Sequence, residues 1–391
     1  MELLRNKNVL ALAIVGILLY VVSSGVSYFI FSKATSGVLT PPPTTTGTNG
    51  KVVFDASLPK TEPCPLSGVK YSKQQKSWWE KHRPLGIMIE NHETSRPQSG
   101  LSSADVIYEA VAEGGITRFL SVYYCQDAEF VGPVRSARTY FLDFISQFGQ
   151  NPLYAHVGGA NTPGPADALS QINRYGWASY NDLNQFSIGF PTFWRDYNRI
   201  GHATATEHTM YSSTTKLWNF AKKDRELADK DEDGNSWDED FEWYSFKDDA
   251  KASDRGDMSS LHVEFWEDYG EYSVDWKYDS ETNSYLRNHG KTPHTDLNNK
   301  KQLSAKNVAV LFMRESSAND GYDNNLHLLY GTKGSGKAQI YLDGEEILGT
   351  WRKADRESRL ILLDSQGSEV KFNRGLIWFQ IVPIGSVAEA N

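Results

Sequence analysis

The feature that most constrains this chain is a hydrophobic run near its N-terminus. Residues 9–32, VLALAIVGILLYVVSSGVSYFIFS, contain no charged side chain. As a helix rising about 1.5 Å per residue, they are long enough to cross a hydrocarbon core of about 30 Å. A cleaved signal peptide, the alternative, has a shorter apolar region and a small-x-small cleavage site, and no such site precedes Lys33. The run therefore predicts one transmembrane helix.

The charges beside this run predict its orientation. Arg5 and Lys7 precede it, whereas only Lys33 follows it before Lys51. Because positive charge is retained on the cytoplasmic side, residues 1–8 are expected inside the cell and the bulk of the chain outside, in a single-pass cell-membrane protein. Residues 33–60 begin with a Pro/Thr/Gly-rich stretch that has few large apolar side chains, which predicts a tether.

Charge along the chain argues against a nucleic-acid partner. Lysine and arginine number 40 against 49 acidic residues, a net charge of −9, and the excess of acid lies in one segment, residues 224–256. The rest of the chain is balanced and lacks the basic field that binds phosphate backbones. The acidic segment is interpreted as a linker between two domains.

Before the acidic segment, apolar runs alternate between strand and helix patterns over residues 61–223. The predicted strands are Leu85–Glu90, Arg118–Cys125 and Leu153–Val157, and the predicted helices are Ser103–Glu113, Val134–Phe148, Pro165–Arg174 and Thr214–Leu227. Such alternation is typical of a layered α/β domain with buried parallel strands. The fold class predicted for this half is therefore α/β.

After the acidic segment, residues 257–386 read as a β-rich domain. Short strand patterns follow one another, separated by Gly and Asp, and Asp343-Gly344 is a typical hairpin turn. The two cysteines of the chain, Cys64 and Cys125, lie outside the membrane in the predicted topology, where oxidation is allowed. One disulfide is predicted; two unpaired thiols are the alternative.

Several long motifs, in order, are similar to those of a known family. They are RPLGIMIEN (83–91), RPQSGLSSADVIYEAVAEGGITRFL (96–120), GPVRSAR (132–138) and HVGG (156–159), followed in the second half by YDSETNSYLR (278–287), GKTPHTD (290–296), NVAVLF (307–312) and GLIW (375–378). The chain resembles the YerB-like lipoproteins, the domain of unknown function numbered 3048. The resemblance implies an envelope location, an α/β first domain and a mostly β second domain, but no activity. No cysteine follows the hydrophobic run until Cys64, so an uncleaved helix is expected to replace the lipid anchor.

The strongest polar constellation lies in the first half, where a parallel sheet would bring strand ends together. Its members, with the glycines that would let a ligand approach the backbone, are Glu109, Glu113, Arg118, Arg135, Arg138, His156, Gly158 and Gly159. Arg135 and Arg138 are three residues apart near a predicted helix start, hence on one face. Arginine forks suit a muropeptide carboxylate, a teichoic-type phosphate or an acidic peptide. The alternative is an internal ion-pair network.

His156 is the candidate catalytic residue, as the general base of a cell-wall polymer hydrolase or transferase that holds its substrate anion with Arg135 and Arg138. The alternative is a hydrogen-bonded structural histidine. No G-x-S-x-G, H-E-x-x-H, P-loop or dinucleotide motif occurs at a suitable junction. The sequence therefore favours an envelope protein that binds an anionic ligand or a protein partner over an enzyme.

Two further sets of residues are candidates. The spacing of Asp229, Asp231, Asp233, Asn235 and Asp240 matches a calcium loop, with a solvated acidic segment as the alternative and no other cofactor expected. In the second half, the secondary candidates are Tyr278, Asp279, Arg287, His294 and Asp296. Mixed aromatic and polar groups of this kind suit sugar or peptide binding, with burial in a β core as the alternative.

Overall fold

The computed structural model describes residues 43–46 and 50–391, together with Val15 and Leu18. The predicted cytoplasmic N-terminus and transmembrane helix fall outside the described residues, apart from Val15 and Leu18, which are helical and exposed. In the part of the chain that is described, no helix is long and apolar enough to cross a membrane. Residues 43–391 form one compact unit.

The strands of this unit range from two to nine residues. In chain order they are β1 (Thr44–Thr46), β2 (Lys51–Val53), β3 (Lys60–Pro63), β4 (Lys70–Ser72), β5 (Leu85–Glu90), β6 (Val106–Glu113), β7 (Ile116–Tyr123), β8 (Leu153–His156), β9 (Asp182–Asn184), β10 (Trp194–Arg195), β11 (Met210–Tyr211), β12 (Phe246–Lys247), β13 (Ser260–Val263), β14 (Val274–Asp279), β15 (Ser284–His289), β16 (Thr292–Pro293), β17 (Ser304–Ala305), β18 (Asn307–Met313), β19 (Glu315–Ser317), β20 (Leu328–Tyr330), β21 (Gly334–Leu342), β22 (Glu345–Lys353), β23 (Ile361–Asp364), β24 (Phe372–Asn373), β25 (Ile377–Pro383) and β26 (Ala388–Ala390).

The α-helices of the described unit are short. They are α1 (Lys73–Trp79), α2 (Thr139–Ile145), α3 (Ala168–Arg174), α4 (Gln185–Ile188) and α5 (Thr214–Asp224). Ser72 caps α1 in a capping box with Gln75, and Asp167 caps α3 through the backbone N–H of Ser170. The fold is therefore dominated by strands, with helices packed beside them.

A ten-stranded mixed sheet organises the molecule, in the order β23-β22-β21-β18-β25-β6-β7-β5-β8-β9. The neighbours β5 and β7 are antiparallel, as are β6 and β7, whereas β25 runs parallel to both β6 and β18. The predicted first domain is thus α/β, but its sheet is mixed rather than parallel. Because β25 joins β6 to β18, strands from both sides of the predicted domain boundary share one sheet.

One predicted helix is wrong: residues 106–113 form strand β6, not part of a helix over 103–113. The error arises at the glycine pair that follows, because Gly114-Gly115 forms a hairpin turn between two strands and does not end a helix. Gly114 and Gly115 have φ of +54° and +76° and close a tight hairpin with β7, a conformation that two-residue hairpin loops require. Both faces of β6 are buried, so its apolar residues do not alternate with polar ones and the strand period is hidden.

The helix predicted over 134–148 is shorter than expected, because α2 begins at Thr139. Residues 134–137 are extended, and the backbone N–H of Ala137 donates to the carbonyl of Gly158, 2.9 Å away. Arg135 and Arg138 therefore do not share a helix face: Arg135 lies in the extended segment and Arg138 is the N-cap residue of α2. The motifs GPVRSAR and HVGG instead lie side by side.

The acidic segment packs on the core rather than hanging free. Trp237 and Tyr244 are buried, and the Tyr244 hydroxyl donates to Oε1 of Gln147 across 3.2 Å. Its aromatic residues hold it in place while most of its carboxylates face solvent. The predicted tether is also partly folded, because Lys51–Val53 forms β2 and the Val52 N–H donates to Asp127.

A second sheet, in the order β16-β15-β14-β13-β26 with β17 beside β15, covers one face of the large sheet. The indole N–H of Trp276 on β14 donates to Oε1 of Gln380 on β25, 3.0 Å away. The opposite face carries α2, whose Phe144 ring stacks on Tyr108 with ring centres 4.8 Å apart. The β-rich second half is as predicted, but it packs on the first half as a layer.

Candidate functional site

The predicted constellation divides between the two faces of the large sheet. Glu109 is fully buried against the second sheet, where its Oε1 lies 2.7 Å from Nη2 of Arg287 and its Oε2 accepts from the indole N–H of Trp378 at 2.9 Å. Glu113 lies on the other face with Arg118 and Arg138. The expectation that Glu109 and Glu113 act together is therefore wrong.

A β-bulge separates these two glutamates. In a regular strand, residues 109, 111 and 113 would share one face, because side chains alternate. The pairing of β6 with β7 shifts between Val111 and Glu113, so Glu113 pairs with Ile116 and its side chain turns to the face of Arg118. The bulge thus decides which carboxylate joins the arginines.

On the helix-covered face, five charged side chains form what we call the arginine cluster: Glu90, Glu113, Arg118, Arg135 and Arg138. Oε2 of Glu90 lies 2.6 Å from Nε of Arg135 and 3.9 Å from Nη2 of Arg118. Glu113 contacts Arg118 at 3.6 Å and forms a short ion pair with Arg138. Glu90 and Arg118 are directly opposite each other on β5 and β7. Three cations therefore face two carboxylates.

Both carboxylates of the cluster are held in the ionised form. Burial alone would raise the pKa of Glu90, but the guanidinium groups of Arg118 and Arg135 outweigh it and lower the pKa to about 2. Burial also tends to raise the pKa of Glu113, but Arg138 and Arg118 outweigh this effect, so the pKa of Glu113 lies below its ordinary value. The cluster thus keeps an excess of one positive charge.

The buried arginines of the cluster are incompletely hydrogen-bonded. Nε and Nη1 of Arg118 and Nε of Arg138 are buried without a hydrogen-bond partner among the described residues. Such donors are costly to leave unpaired. Together with the excess positive charge, they make this side of the sheet suited to an additional anionic or hydrogen-bond-accepting group.

Beside the cluster opens a cavity of about 540 Å³, which we call the Arg135 cavity. Its walls include Arg135, Ser136, Gly158, Gly159, Asn161, Phe186, Arg195 and Glu207. Three of the predicted ligand-binding residues, Arg135, Gly158 and Gly159, therefore share one cavity, whereas Arg118, Arg138 and Glu113 are not among its lining residues. Arg135 lies beside Gly158 and Gly159 because the Val157 N–H donates to the Arg135 carbonyl.

Arg135 is anchored at one end and free at the other. Its Nε donates to Glu90, and its two terminal nitrogens make no hydrogen bond within the described part of the chain. The side chain is about one quarter exposed. A guanidinium fixed in this way presents its forked end to the cavity, the geometry that binds a carboxylate or phosphate through two hydrogen bonds.

His156 is fully buried and both of its ring nitrogens are engaged. Nε2 lies 2.5 Å from Oδ1 of Asp182, and Nδ1 lies 2.6 Å from the carbonyl oxygen of Gly158. Both ring nitrogens are therefore occupied by partners within the protein, and neither faces a ligand in the Arg135 cavity. In this geometry His156 holds the Gly158 turn in place.

The predicted calcium residues do not converge. Asp231 accepts hydrogen bonds from the backbone and side chain of Asn235, and Asp240 accepts from Gln150. Among the described residues, the one group of three potential metal ligands with mutually close atoms is Cys64, Asp105 and Cys125. Those two cysteines form the predicted disulfide, so their sulfurs are already bonded to each other.

The secondary candidates of the second half make internal contacts. Arg287 pairs with Glu109, and the His294 Nε2 lies 2.6 Å from Oε1 of Gln98. Asp296 accepts from the backbone N–H groups of Gly100 and Ser102. Tyr278 donates to Asn283, and Asp279 caps its own turn through Thr282. Arg287, His294 and Asp296 thus connect the second half to the first half of the chain, whereas Tyr278 and Asp279 make their contacts within the second half.

Glu90, Phe186 and Arg195 are among the residues of the site that escaped prediction. Glu90 ends a buried strand, and a carboxylate at that position was a signal that a cation lies beside it. Phe186, on α4, is 76% exposed and lines the cavity. Its backbone N–H and that of Gly158 both donate to Oδ1 of Asn184, which positions the ring beside the glycine turn.

Two family models match the chain. The N-terminal domain described as "Protein of unknown function (DUF3048)" matches residues 66–227, and the C-terminal domain of the same family matches residues 261–379. The chain belongs to the DUF3048 family. Both matched regions contribute strands to the ten-stranded sheet, and the N-terminal one contains the whole arginine cluster.

Similar proteins have the same size and fold. This DUF3048 chain is 28% identical over 322 residues to a protein of Bacillus subtilis (strain 168) described as "Putative lipoprotein YerB", covering 82% of this chain and 86% of that protein. The crystal structure of the YerB protein from Bacillus subtilis matches with a TM-score of 0.67 and 23% identity, over 84% of this chain and 100% of that one. The structural match shows the fold.

Proposed function

We propose that this DUF3048 protein is an extracytoplasmic, membrane-anchored envelope protein that binds an anionic saccharide of the cell envelope in the Arg135 cavity. The observation that carries the proposal is the guanidinium of Arg135, which is fixed to buried Glu90 through Nε and leaves two nitrogens for a ligand. The location rests on the hydrophobic run at 9–32, on the disulfide, which suits an oxidising compartment, and on the similarity to a protein described as a lipoprotein.

The charge of the cavity specifies the ligand. Arg135 and Arg195 line it and Glu207 is its only acidic lining residue; the buried arginine cluster, counted with Arg135, has one more positive than negative charge. Arginine forks match the planar carboxylate or the phosphate group of an envelope polymer. A muropeptide carboxylate and a teichoic-type phosphate are therefore the two anions with the required chemistry.

The aromatic wall specifies what is attached to the anion. Phe186 is exposed on the cavity wall, and Phe190, four residues further on, is 84% exposed. Of these two, Phe186 lines the cavity, and an exposed large apolar side chain on the wall of a polar cavity is a candidate contact for a ligand. The flat apolar face of a sugar ring packs on such a ring while its acidic substituent reaches Arg135.

Binding without turnover is the expected activity. His156 is fully buried and does not line the cavity, and its two ring nitrogens contact Asp182 and Gly158, so neither nitrogen is free to act as a base on a ligand there. The hydrolase or transferase hypothesis therefore gains no support from this residue. Turnover of a bound wall fragment, lost in a His156→Gln variant that still folds and binds, would favour the enzyme instead.

The test is calorimetric titration of the full-length chain, purified in a neutral detergent, with N-acetylmuramic acid, N-acetylglucosamine and glycerol 3-phosphate. An acidic ligand is expected to bind and the neutral sugar at least tenfold more weakly. Asn161→Asp adds a negative charge at an exposed position of the cavity wall, and Asn161→Ser is its neutral control. At roughly 8 Å and an effective dielectric constant of about 40, the added charge weakens binding by about 1 kcal/mol, or fivefold.

Two further variants separate the anion clamp from the aromatic wall. Arg135→Lys keeps the charge beside Glu90 but loses the fork, so affinity is expected to fall about tenfold while the chain stays folded. Phe186→Ala is expected to weaken the acidic sugar and leave glycerol 3-phosphate unchanged. Equal binding of the acidic and neutral sugars, or no effect of Asn161→Asp, would contradict the proposal.

A further inference from the structure

A second cavity is formed entirely by the C-terminal half of the described chain. It lies against the large sheet, on the face opposite the arginine cluster. It measures about 480 Å³ and is lined by β21, by β22 and by the segment around Ile384. Its charged lining residues are Arg314, Lys333 and Lys337, and no acidic residue is among the residues that line it. We call it the β21 cavity. It shares no lining residue with the Arg135 cavity.

Two of the three cations have no anionic partner. Lys333 forms an ion pair with Asp143, 2.7 Å away. Arg314 makes no side-chain hydrogen bond or ion pair within the described residues, and the Lys337 ammonium group lies 4.9 Å from the centre of the Phe312 ring. Two uncompensated positive charges therefore face one cavity, with no acid between them.

The sequence around these lysines leaves room for a compact anion. Residues 331–337 read GTKGSGK, so only Gly334, Ser335 and Gly336 stand between the two lysines. Lys333, Ser335 and Lys337 alternate along the chain and all line the cavity, as expected for one face of an extended segment. Because the Lys333 ammonium group is held by Asp143, an anion here would lie beside Lys337 and Arg314, where the Ser335 hydroxyl can donate to it.

From this arrangement we infer that the β21 cavity binds a phosphate group. The Lys337 ammonium group is a compact point charge, the Arg314 guanidinium carries several donors and the Ser335 hydroxyl is a single donor, and a tetrahedral phosphate can accept from these different directions at once. A planar carboxylate accepts within one plane and would leave some of these donors unmatched. Below the cavity, buried Trp351 donates its indole N–H to the carbonyl of Phe312, so the floor is already satisfied and rigid.

The experiment titrates the full-length chain in neutral detergent with inorganic phosphate, acetate, glycerol 3-phosphate and poly(glycerol phosphate), following binding by calorimetry. Ser335→Asp places a negative charge between the lysines at an exposed position, and Ser335→Asn is the neutral control of similar size. We expect phosphate affinity to fall at least fivefold in Ser335→Asp and less than twofold in Ser335→Asn.

Removal of the cations provides the second comparison. Arg314→Ala/Lys337→Ala is expected to reduce phosphate affinity at least tenfold. Lys222→Ala/Lys223→Ala removes the same charge from exposed positions of α5 and is expected to change it less than twofold. Tighter binding of the polymer per phosphate identifies a phosphodiester chain as the ligand, and equal binding identifies a free phosphate compound; both results support the site.

Three results would overturn the inference. They are unchanged phosphate binding in Ser335→Asp, equal loss in both charge-removal variants, and binding of acetate as tight as that of phosphate. The two sites fail independently, because Arg135→Lys leaves the β21 cavity intact and Ser335→Asp leaves the Arg135 cavity intact. Phosphate binding that persists in Arg135→Lys but disappears in Ser335→Asp assigns it to the β21 cavity alone.

Discussion

Replacing Glu109 with glutamine is expected to destabilise the whole molecule. The Glu109 carboxylate and the Arg287 guanidinium are both fully buried and lie 2.7 Å apart, and the same carboxylate accepts from Thr117 and Trp378. Glu109→Gln leaves Arg287 as a buried charge with no counterion. Breaking a buried pair from one side costs about 3–5 kcal/mol, which corresponds to a fall in Tm of roughly 4 to 6 °C for a chain of this size.

The measurement is urea unfolding followed by tryptophan fluorescence. The indole of Trp378 donates to Glu109 and its ring centre lies 5.2 Å from that of Trp276, so two of the 11 tryptophans that contribute to the fluorescence lie in this cluster. Glu281→Gln, at an exposed position, is the matched control and is expected to change stability by less than about 0.5 kcal/mol.

A double variant tests the physical reason. Glu109→Gln/Arg287→Met removes both charges, and a buried pair replaced by neutral groups of similar volume is often close to neutral in stability. The double variant should therefore be more stable than Glu109→Gln alone. If Glu109→Gln unfolded at the midpoint of the unmodified chain, or if the double variant were no better than the single one, the electrostatic account would be refuted.

The remaining predictions concern acid stability, the disulfide and the glycine turn. The folded-state pKa of Glu90 is about 2, below its ordinary value of 4.5, so its contribution of about 3 kcal/mol is present above pH 4.5 and is lost as the pH falls toward 2. Urea midpoints between pH 6 and 3 should show this loss, and Glu90→Gln should flatten it; a curve unaffected by the substitution would count against the ion pair. Cys64→Ser/Cys125→Ser opens a loop of 61 residues and should cost about 4 kcal/mol in urea unfolding, with equal stability of the oxidised and reduced chains as the contrary result. Gly158→Ala forces φ of +58° on alanine with Cβ 2.9 Å from the Phe186 ring, so stability should fall by about 1 kcal/mol and sugar affinity with it, which thermal unfolding and titration would show or disprove.

Part of the candidate site could be predicted because its motifs are short and local. Arg135, Gly158 and Gly159 were selected on residue type and line one cavity. Glu109 was grouped with Glu113 and the arginines because a parallel sheet was expected to bring their segments together, and a single bulged residue sends the two glutamates to opposite faces of the sheet. A bulge leaves almost no trace in sequence, since it depends on how one strand pairs with another.

Local patterns determined several elements by themselves. The strand Leu85–Glu90 has the predicted bounds, the cysteine pair and the strand-rich second half are present, and the family follows from long motifs in order. The strands depend on residues that are close in sequence, the disulfide depends on the oxidising compartment, and the family assignment depends on residue types in a fixed order.

The joining of the two halves was decided only by the tertiary structure. Strand β25 lies between β6 and β18, and Arg287 reaches Glu109 across a separation of 178 residues. No local pattern encodes such contacts, because a buried strand reads as the same apolar run whichever strands lie beside it. The pairing of Arg287 with Glu109 and the bulge in β6 therefore depend on partners that come close only when the chain folds.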